Sequence, residues 1–541
     1  MGIDFGTLSG RAVIVDIDSG REVATAVSEY AHGVMSERFV DGRDLPADYA
    51  LQHPADYMDV LCRVTREAIA QSGIDPSDVV GIGVDFTAST VLPIKRDGTP
   101  LCFLDEFASN PHAYVKLWKH HAAQCYADEI NALAAAHTPD MLRRYGGVIS
   151  CEWLFPKLLE ILREAPEVYS AADRFIEAGD WIVSRLIGEE VRGVCTTGFK
   201  AAWDREGGYP DRDFLAALDP RLENAVSEKL SDRVLRLSET AGYLSEELAE
   251  MTGLRAGTPV APALIDAHAA LPALGITEPG KLLMIIGTST CHILLGDREV
   301  YVPGISGCVM DGIVDGLYAY EAGQACVGDS FDWFVRNCVP HSYYAEAEAL
   351  GVNIHKYLRE KAKTLAPGSS GVLALDWWNG NRTPYVDGGL SGTLVGLTVT
   401  TRPEQIYRAL IEATAYGTRR IIELYESSGI RIDRLYAAGG IAEKDEMLMQ
   451  IYADVTGREI YLSGTSQACA YGSAVLGATI GGAYPDLKAA SCAMKQIKER
   501  SYSPDPERTG AYDELYAEYT RLSEYLADRE NPLMEHLKRL K

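Results

Sequence analysis

Two short loops, one in each half of the chain, combine residue types that suit phosphate binding. The first runs from Asp4 through Gly6 and Thr7 to Arg11, with apolar residues on both sides. The pattern predicts two strands joined by a tight turn, whose main-chain N–H groups and hydroxyls could converge on one anion. Asp4, at the strand end, could hold a hydrated Mg²⁺ beside that anion. Taken alone, the stretch is more often an ordinary hairpin than a phosphate site.

The second loop repeats the first in the other half of the chain. Residues 281–286 are mostly apolar and lead into Gly287 and Thr288, and a further apolar run follows His292. The same order of strand, Gly-Thr turn and strand therefore occurs twice. Two such hairpins indicate two related domains that face each other across a nucleotide.

Asp266 is the candidate general base. It follows the strand-like residues 261–265 and opens a run of small residues that predicts a helix. A primary alcohol that attacks phosphorus must lose a proton, and a carboxylate within hydrogen-bonding distance can accept it. The alternative is a helix cap, because aspartate is favoured at that position. His268, two residues further on, is interpreted as a packed histidine.

Other polar residues stand where predicted strands end. The loop Asp85–Thr90 follows a buried strand, and residues at the carboxyl end of a strand in such sheets often meet a ligand. Lys200 lies among small residues and has three donors for hydroxyl groups. Glu321 also ends a strand. The segment Tyr114–Tyr126 is rich in lysine and histidine and is predicted to be a surface helix.

The bulk composition limits the class of protein. The 541 residues are 47% hydrophobic and 24% charged, which suits two globular domains. A net charge of −26 argues against a nucleic-acid or anionic membrane partner. We expect a cytoplasmic protein because we find neither a membrane-spanning apolar run nor a leader. The chain begins almost within its first strand, so we also expect that a few native residues precede it.

Two longer stretches complete a resemblance to the FGGY family of carbohydrate kinases. Residues 145–157 resemble the first signature of that family, although Glu160 stands where a tryptophan is common. Residues 392–412 nearly fit the second signature, with Leu410 as a conservative departure. The resemblance covers nearly the whole chain.

The resemblance implies the fold and its division. It implies an α/β protein of two actin-like (ribonuclease H-like) domains, of the sugar kinase, Hsp70 and actin superfamily, with a central cleft. The N-terminal domain (1–270) would bind sugar and supply the base, a linker (271–281) would follow, and the C-terminal domain (282–541) would bind nucleotide.

The resemblance also implies ligands and their residues. ATP and Mg²⁺ are the expected cofactors, with Asp4 and Asp266 as metal ligands. The sugar would contact Ala88, Lys200, Asp266 and Glu321. The nucleotide would contact Gly6, Thr7, Arg11, Gly287, Thr288, Gly328, Asp332, Gly439, Gly440 and Lys444, although related kinases often carry asparagine in place of Lys444.

The loop Asp85–Thr90 distinguishes among members of the family. It lacks the Arg-Glu pair of glycerol kinases and the Gly-Gln-Met-His-Gly run of xylulokinases, and it is similar to the loop of members that act on ribulose. The resemblance implies ATP-dependent phosphorylation of a 2-ketopentose at O5, with L-ribulose first, in L-arabinose catabolism. The alternatives are a kinase for xylulose, D-ribulose or glycerol, and an actin-like or chaperone ATPase. The expected partners are the sugar and ATP, and the sequence is compatible with a homodimer.

Overall fold

The computed structural model describes residues 1–528 and 530–540. The strands are β1 (Gly2–Phe5), β2 (Ser9–Val15), β3 (Glu22–Glu29), β4 (Leu51–Gln52), β5 (Gly83–Phe86), β6 (Val91–Ile94), β7 (Val115–Lys116), β8 (Arg174–Glu177), β9 (Arg192–Gly193), β10 (Val234–Leu235), β11 (Gly242–Tyr243), β12 (Pro259–Val260), β13 (Leu264–Ile265), β14 (Gly280–Ile286), β15 (Thr290–Gly296), β16 (Gly307–Met310), β17 (Tyr318–Gln324), β18 (Leu373–Leu375), β19 (Thr393–Val395), β20 (Ile432–Ala438), β21 (Ile460–Ser463) and β22 (Ile497–Tyr502).

The helices alternate with these strands. They are α1 (Pro54–Ser72), α2 (Gln124–His137), α3 (Pro139–Arg143), α4 (Leu154–Glu164), α5 (Pro166–Ala171), α6 (Ala178–Ile187), α7 (Val194–Lys200), α8 (Arg212–Leu218), α9 (Ala225–Lys229), α10 (Glu246–Thr252), α11 (Asp266–Ala273), α12 (Gly328–Cys338), α13 (His341–Ala349), α14 (Ile354–Ala362), α15 (Pro403–Ser427), α16 (Gly440–Lys444), α17 (Glu446–Thr456), α18 (Ala468–Ile480), α19 (Leu487–Met494), α20 (Pro506–Ala527) and α21 (Leu533–Arg539).

The sheet of the N-terminal half has five strands in the order β13-β5-β1-β2-β3. β1, β2 and β3 form an antiparallel meander, whereas β5 lies parallel to β1 and β13 lies parallel to β5. All four residues of β1 and of β5 are buried, as is typical of strands covered on both faces. The carboxyl ends of β1, β5 and β13 therefore meet at one edge of the sheet.

The sheet of the C-terminal half has seven strands in the order β16-β17-β15-β14-β20-β21-β22. It repeats the pattern of the first sheet, because β14 pairs antiparallel with β15 and parallel with β20. β17 continues the antiparallel side next to β15. The predicted pair of strand–turn–strand units is present, one in each sheet.

Helix α18 joins the two halves. It belongs by sequence to the second half, but it packs on β1, β5 and α11 of the first. Glycines make this close approach possible: a Cβ atom on Gly2 would lie 1.8 Å from the carbonyl oxygen of Ala470, and one on Gly472 would lie 1.6 Å from that of Ala269. The apolar core between the sheets includes Leu271 and Val475.

The predicted linker 271–281 overlaps regular structure at both ends. α11 continues to Ala273, and β14 begins at Gly280. The division of the chain into 1–270, 271–281 and 282–541 stays a prediction. In the part of the chain that the structure describes, every helix is too short or too polar to span a membrane.

Candidate active site

Three parallel strands of the N-terminal sheet end in carboxylates. Asp4 on β1 is in register with Asp85 on β5, and Ile265 on β13 is in register with Phe86, so Asp266 follows at the same edge. Asp4 and Asp85 are buried, whereas Asp266 is partly exposed at the start of α11. The fold brings the predicted base and the predicted metal ligand Asp4 to one edge of the sheet, and it adds Asp85.

Burial raises the pKa of all three carboxylates, and the charge of Asp4 raises it further at Asp85 and Asp266. Burial raises the pKa of Asp4, although the Nε atom of Arg11 lies 3.3 Å from its Oδ2. Burial and then the charge of Asp4 raise the pKa of Asp266 to about 7. The same two causes hold the pKa of Asp85 well above its usual range.

Asp85 also has an unused acceptor. Its Oδ2 accepts a hydrogen bond of 2.6 Å from the hydroxyl of Ser473 on α18, whereas its buried Oδ1 has no hydrogen-bond partner among the described residues. Carboxylate oxygens are the ligands that Mg²⁺ prefers, and a cation would relieve the repulsion among the three groups. One or two of these carboxylates, with water and phosphate oxygens as the other ligands, would suffice to hold Mg²⁺ at this edge.

Lys200 and Glu321 form an ion pair across the two halves. Lys200 is the last residue of α7 and Glu321 lies on β17, and the Nζ atom is 3.0 Å from each carboxylate oxygen. Both side chains are buried. Burial alone would raise the pKa of Glu321, but Lys200 and His268 hold it well below its usual range. The prediction that both residues meet at the cleft is consistent with this geometry.

His268 is part of the same network. Its Nε2 lies 3.0 Å from Oε2 of Glu321, and its Nδ1 lies 3.2 Å from the sulfur of Cys195. The carboxylate can only accept, so Nε2 carries the proton and Nδ1 accepts from the thiol. The interpretation of His268 as a packed histidine describes its full burial, but it omits this contact with the predicted sugar site.

A second ion pair crosses the cleft near the first. Nη2 of Arg382 lies 3.4 Å from Oε1 of Glu152, and Nε2 of His121 lies 3.3 Å from the same oxygen. Burial would raise the pKa of Glu152, but Arg382 and His121 lower it to about 2. Neither Glu152 nor Arg382 is among the predicted site residues. The signal was available, since Glu152 lies in the first signature of the family.

The second hairpin, at and beside its turn (287–289), contacts the turns at Gly328 and Gly439 through main-chain atoms, and these three turns are here called the main-chain cradle. The N–H groups of Val327 and Gly328 donate to the carbonyls of Thr288 and Gly287, at 2.8 and 3.1 Å. A Cβ atom on Gly328 would lie 2.8 Å from the Cδ1 atom of Ile441. The structure thus brings together Gly287, Thr288 and Gly328 of the predicted nucleotide site.

Gly439 belongs to the same cradle. Its φ of 98° is in the region that favours glycine, and a Cβ atom there would lie 2.5 Å from the carbonyl oxygen of Ile286. Gly440 follows as the first residue of α16. The predicted glycines of this turn therefore adjoin the second hairpin.

Asp332 and Lys444 take a different position from the other predicted nucleotide residues. The Asp332 side chain is 52% exposed and lies 3.1 Å from His355 and 3.7 Å from Arg336. Lys444 is the exposed last residue of α16. Their side chains make no contact with the cradle among the recorded hydrogen bonds and ion pairs of the described chain, and their roles stay predictions.

The first hairpin is held by side chains. The main-chain N–H of Gly6 donates to the carbonyl of Ser9 at 3.0 Å. The Thr7 hydroxyl accepts from the indole N–H of Trp118 at 3.2 Å, and Nη1 of Arg11 donates to Gln467 of the other half. The predicted residues Gly6, Thr7 and Arg11 therefore lie together beside the carboxylate edge.

The prediction of a surface helix over Tyr114–Tyr126 is wrong. The segment contains β7 and a turn, and α2 begins only at Gln124. Lys116 and His120 are fully buried, 3.0 and 2.9 Å from Oε1 of Glu160. Their polarity suggested solvent, but they are paired with Glu160, the residue that departs from the family signature.

Comparisons with known proteins agree with this fold. The N-terminal domain of the FGGY family of carbohydrate kinases matches residues 1–273, and the C-terminal domain matches residues 282–480. A curated ribulokinase of Bacillus licheniformis is 53% identical over 539 residues, which cover 99% of this chain and 98% of the relative. A ribulokinase of Mycolicibacterium smegmatis is 49% identical over 540 residues, which cover 99% and 95%.

A solved structure shows the same fold at low sequence identity. The xylulose kinase of Lactobacillus acidophilus superposes with a TM-score of 0.79 at 18% identity, over 98% of each chain. The fold and the two matched domains define a two-domain sugar kinase. The chain belongs to the FGGY family of carbohydrate kinases, and FGGY kinases use ATP as a substrate.

Proposed function

We propose that this sugar kinase phosphorylates L-ribulose at O5, with ATP as donor and Mg²⁺ bound at the carboxylate edge. The observation that carries the proposal is the buried Lys200–Glu321 pair, which joins the two halves beside Asp266. The names of the relatives support ribulose as the sugar, since they are ribulokinases that match over the full chain.

Asp266 serves as the general base in this proposal. An acid with a pKa of about 7 can accept a proton from the attacking hydroxyl near neutral pH. Its place at the start of α11, at the same edge as Asp4, sets it beside the first hairpin. Burial and then the negative charge of Asp4 make Asp266 a stronger base than an isolated aspartate.

The other residues position the sugar and neutralise the charge of the phosphates. Lys200 donates to sugar hydroxyls and Glu321 accepts from them, and each is held in place by the other. Ala88 is the one residue of 87–90 that is partly exposed, which suits a contact with the sugar. Asp4 and Asp266 hold Mg²⁺, which when bound neutralises charge on the phosphate oxygens. The hairpins hold the phosphates, and the cleft excludes water so that phosphate is not lost to hydrolysis.

A substrate panel tests the proposal. ADP formation is measured with L-ribulose, D-ribulose, D-xylulose and glycerol in parallel, with and without Mg²⁺, and with no sugar as the control. We expect the highest kcat/KM with L-ribulose and little ADP without sugar. A higher kcat/KM with xylulose or glycerol would contradict the sugar assignment, and equal rates with and without sugar would favour an ATPase.

Two further statements are part of the proposal. We place the enzyme in the cytoplasm and in L-arabinose catabolism, and we propose that it forms a homodimer. Fractionation of cells tests the cytoplasmic location. Sedimentation of the purified protein tests the homodimer.

A further inference from the structure

A lysine outside the predicted site is fully buried and uses all three of its protons. Lys157 lies in the first turn of α4, and its side chain is 0% exposed. Its Nζ donates to the carbonyl oxygens of Ser89 at 2.6 Å, Leu117 at 2.9 Å and Lys116 at 3.2 Å. An ammonium group has three donors, so every donor is used. Lys157 has no part in the reaction as proposed above.

One of these acceptors belongs to the loop that is predicted to select the sugar. Residues 87–90, here called the sugar loop, follow β5 and include Ala88. Ser89 has a φ of 55°, a left-handed conformation that is uncommon for a residue with a side chain. Such a conformation persists only when its surroundings hold it. The Lys157 ammonium, bonded to the Ser89 carbonyl, is one such constraint.

The other end of the sugar loop is fixed as well. The N–H of Thr90 donates to Oε2 of Glu177 at 2.8 Å, and the carbonyl of Thr90 accepts from Ala178 at 2.7 Å. The hydroxyl of Thr90 lies 3.1 Å from that of Thr87. The conformation of this loop is therefore set by buried charged groups that lie behind it.

The remaining two acceptors, the carbonyls of Lys116 and Leu117, belong to a segment that contacts the first hairpin. Lys116 and Leu117 precede Trp118, whose indole N–H donates to the hydroxyl of Thr7 at 3.2 Å. Gln52 donates to the carbonyl of the same threonine at 2.8 Å. The segment 116–118 thus contacts the lysine through its main chain and the phosphate-binding turn through its side chain.

We propose that Lys157 is a positioning residue that fixes the sugar loop and the first hairpin against one shared segment, residues 116–118. In this arrangement one ammonium group sets the distance between the sugar and the phosphate it receives. This inference rests on the proposed function, because it takes residues 87–90 to contact the sugar. A change at Lys157 should move sugar affinity and selectivity before it moves general stability.

Steady-state kinetics on Lys157→Met test the proposal. The variant removes the ammonium donor from three buried carbonyls, of which that of Leu117 keeps the main-chain N–H of His120 at 2.9 Å, and it frees Ser89 from its constraint. We expect the KM for L-ribulose to rise about tenfold or more and the preference for L-ribulose over D-ribulose to shrink by a similar factor. A purely structural role would lower the melting temperature and leave both the KM and the preference unchanged.

Two further variants make the test specific. Arg408→Met removes another buried cation, which donates to Glu412 and Tyr512 and lies outside residues 87–90 and 116–118, and should lower stability without changing sugar selectivity. Trp118→Phe replaces the indole by a smaller ring without the N–H and should raise the KM for ATP a few-fold while the KM for L-ribulose stays constant. Trp118→Phe still tests the proposal if Lys157→Met does not fold. An unchanged KM for ATP would refute the role of residues 116–118 as a segment that contacts both the sugar loop and the first hairpin.

The failure of this inference can be told apart from failure of the proposed function. Wild-type enzyme that forms no ADP with any pentulose would refute the sugar assignment. Wild-type enzyme that is active on L-ribulose, together with a folded Lys157→Met variant of unchanged KM and selectivity, would refute the positioning role alone. Circular dichroism spectra and melting curves establish that each variant is folded.

Discussion

The two Gly-Thr hairpins share the order of strand, turn and strand, with a turn one residue longer in the first, and they differ in charge. In the first, Asp4 on β1 is directly opposite Arg11 on β2. At the equivalent register of the second hairpin, Ile285 is opposite Cys291. Both turns close with a hydrogen bond from the glycine N–H, at 3.0 Å to Ser9 and 2.9 Å to Ser289. A repeated turn therefore carries a charged pair in one half of the molecule and an uncharged pair in the other.

The surroundings of the hairpins differ in the same way. The first lies at an edge with three carboxylates and is held by the side chains of Trp118 and Gln52. The second is held by main-chain contacts with Val327 and Gly328 and by close packing of Gly439. In the proposed function both turns bind phosphate, whereas the proton and metal chemistry uses the acids beside the first.

The largest effect should come from removing the base at the charged edge. Asp266→Asn keeps the size of the side chain and removes its ability to take a proton. We expect turnover to fall by about 10²–10⁴, the usual contribution of a general base, with ATP binding nearly intact. The measurements are kcat for L-ribulose and the Kd of an ATP analogue.

A folded Asp266→Asn protein with near-normal turnover would remove this residue as the base. A loss of ATP binding equal to the loss of turnover would instead indicate a binding role. Circular dichroism distinguishes both outcomes from misfolding.

The next-largest effect should distinguish the role of the first hairpin in metal binding from that of the second. Asp4→Asn removes a carboxylate from the proposed metal site, and we expect the Mg²⁺ concentration for half-maximal activity to rise about 10–100-fold, as loss of a supporting group does in other metal sites. Ile285→Asn, at the equivalent register, introduces the same side chain where no acid is present. It should leave the Mg²⁺ requirement unchanged, even if it lowers stability. Equal Mg²⁺ dependence of the two variants would refute the metal role of Asp4.

Removal of either partner of the Lys200–Glu321 ion pair should weaken the binding of the sugar and leave that of ATP unchanged. Lys200→Met and Glu321→Gln each remove one partner of a buried pair, and each should raise the KM for L-ribulose about tenfold or more, because a charged hydrogen bond to a ligand contributes about 1.5–3 kcal/mol. The KM for ATP should hardly change. The double variant should lose less than the two single losses combined, since the single variants leave a buried charge without its partner.

A shift in the KM for ATP with a constant KM for L-ribulose would show that the sugar is bound elsewhere. Melting curves serve as the control, because an unpaired buried charge also lowers stability. Additive losses in the double variant would indicate that the residues act independently of their contact.

Sequence patterns predicted the hairpins and the strand-end acids because these depend on local rules. A Gly-Thr turn between apolar runs specifies a hairpin, and parallel strands carry their last residues to one edge. Asp85 and Glu152 lay in stretches that the sequence marked, but their roles depend on residues far along the chain, Ser473 and Arg382. Such contacts across several hundred residues have no local signal.

The error at residues 114–126 has the same origin. Lysine and histidine are usually solvated, so their density favoured a surface helix. In the fold, Lys116 and His120 are buried because Glu160, on another element, compensates them. The polarity of a segment predicts its exposure only when no distant residue of opposite charge covers it.

The smallest effect should test what the hairpins have in common. A Cβ atom on Gly287 would meet nothing closer than the Ser289 carbonyl at 3.7 Å, so Gly287→Ala should fold normally. If a phosphate group lies against this main chain, the added methyl group obstructs it, and we expect the KM for ATP to rise about two- to fivefold, equivalent to less than 1.4 kcal/mol. Gly6→Ala should act similarly, with the KM for L-ribulose constant in both, and a melting curve controls for the closer contact at Gly6, where a Cβ atom would lie 3.3 Å from the Ser9 carbonyl oxygen. Gly510→Ala, with open space around it on α20, is the control. An effect at Gly6 without one at Gly287 would mean that only the charged hairpin binds phosphate.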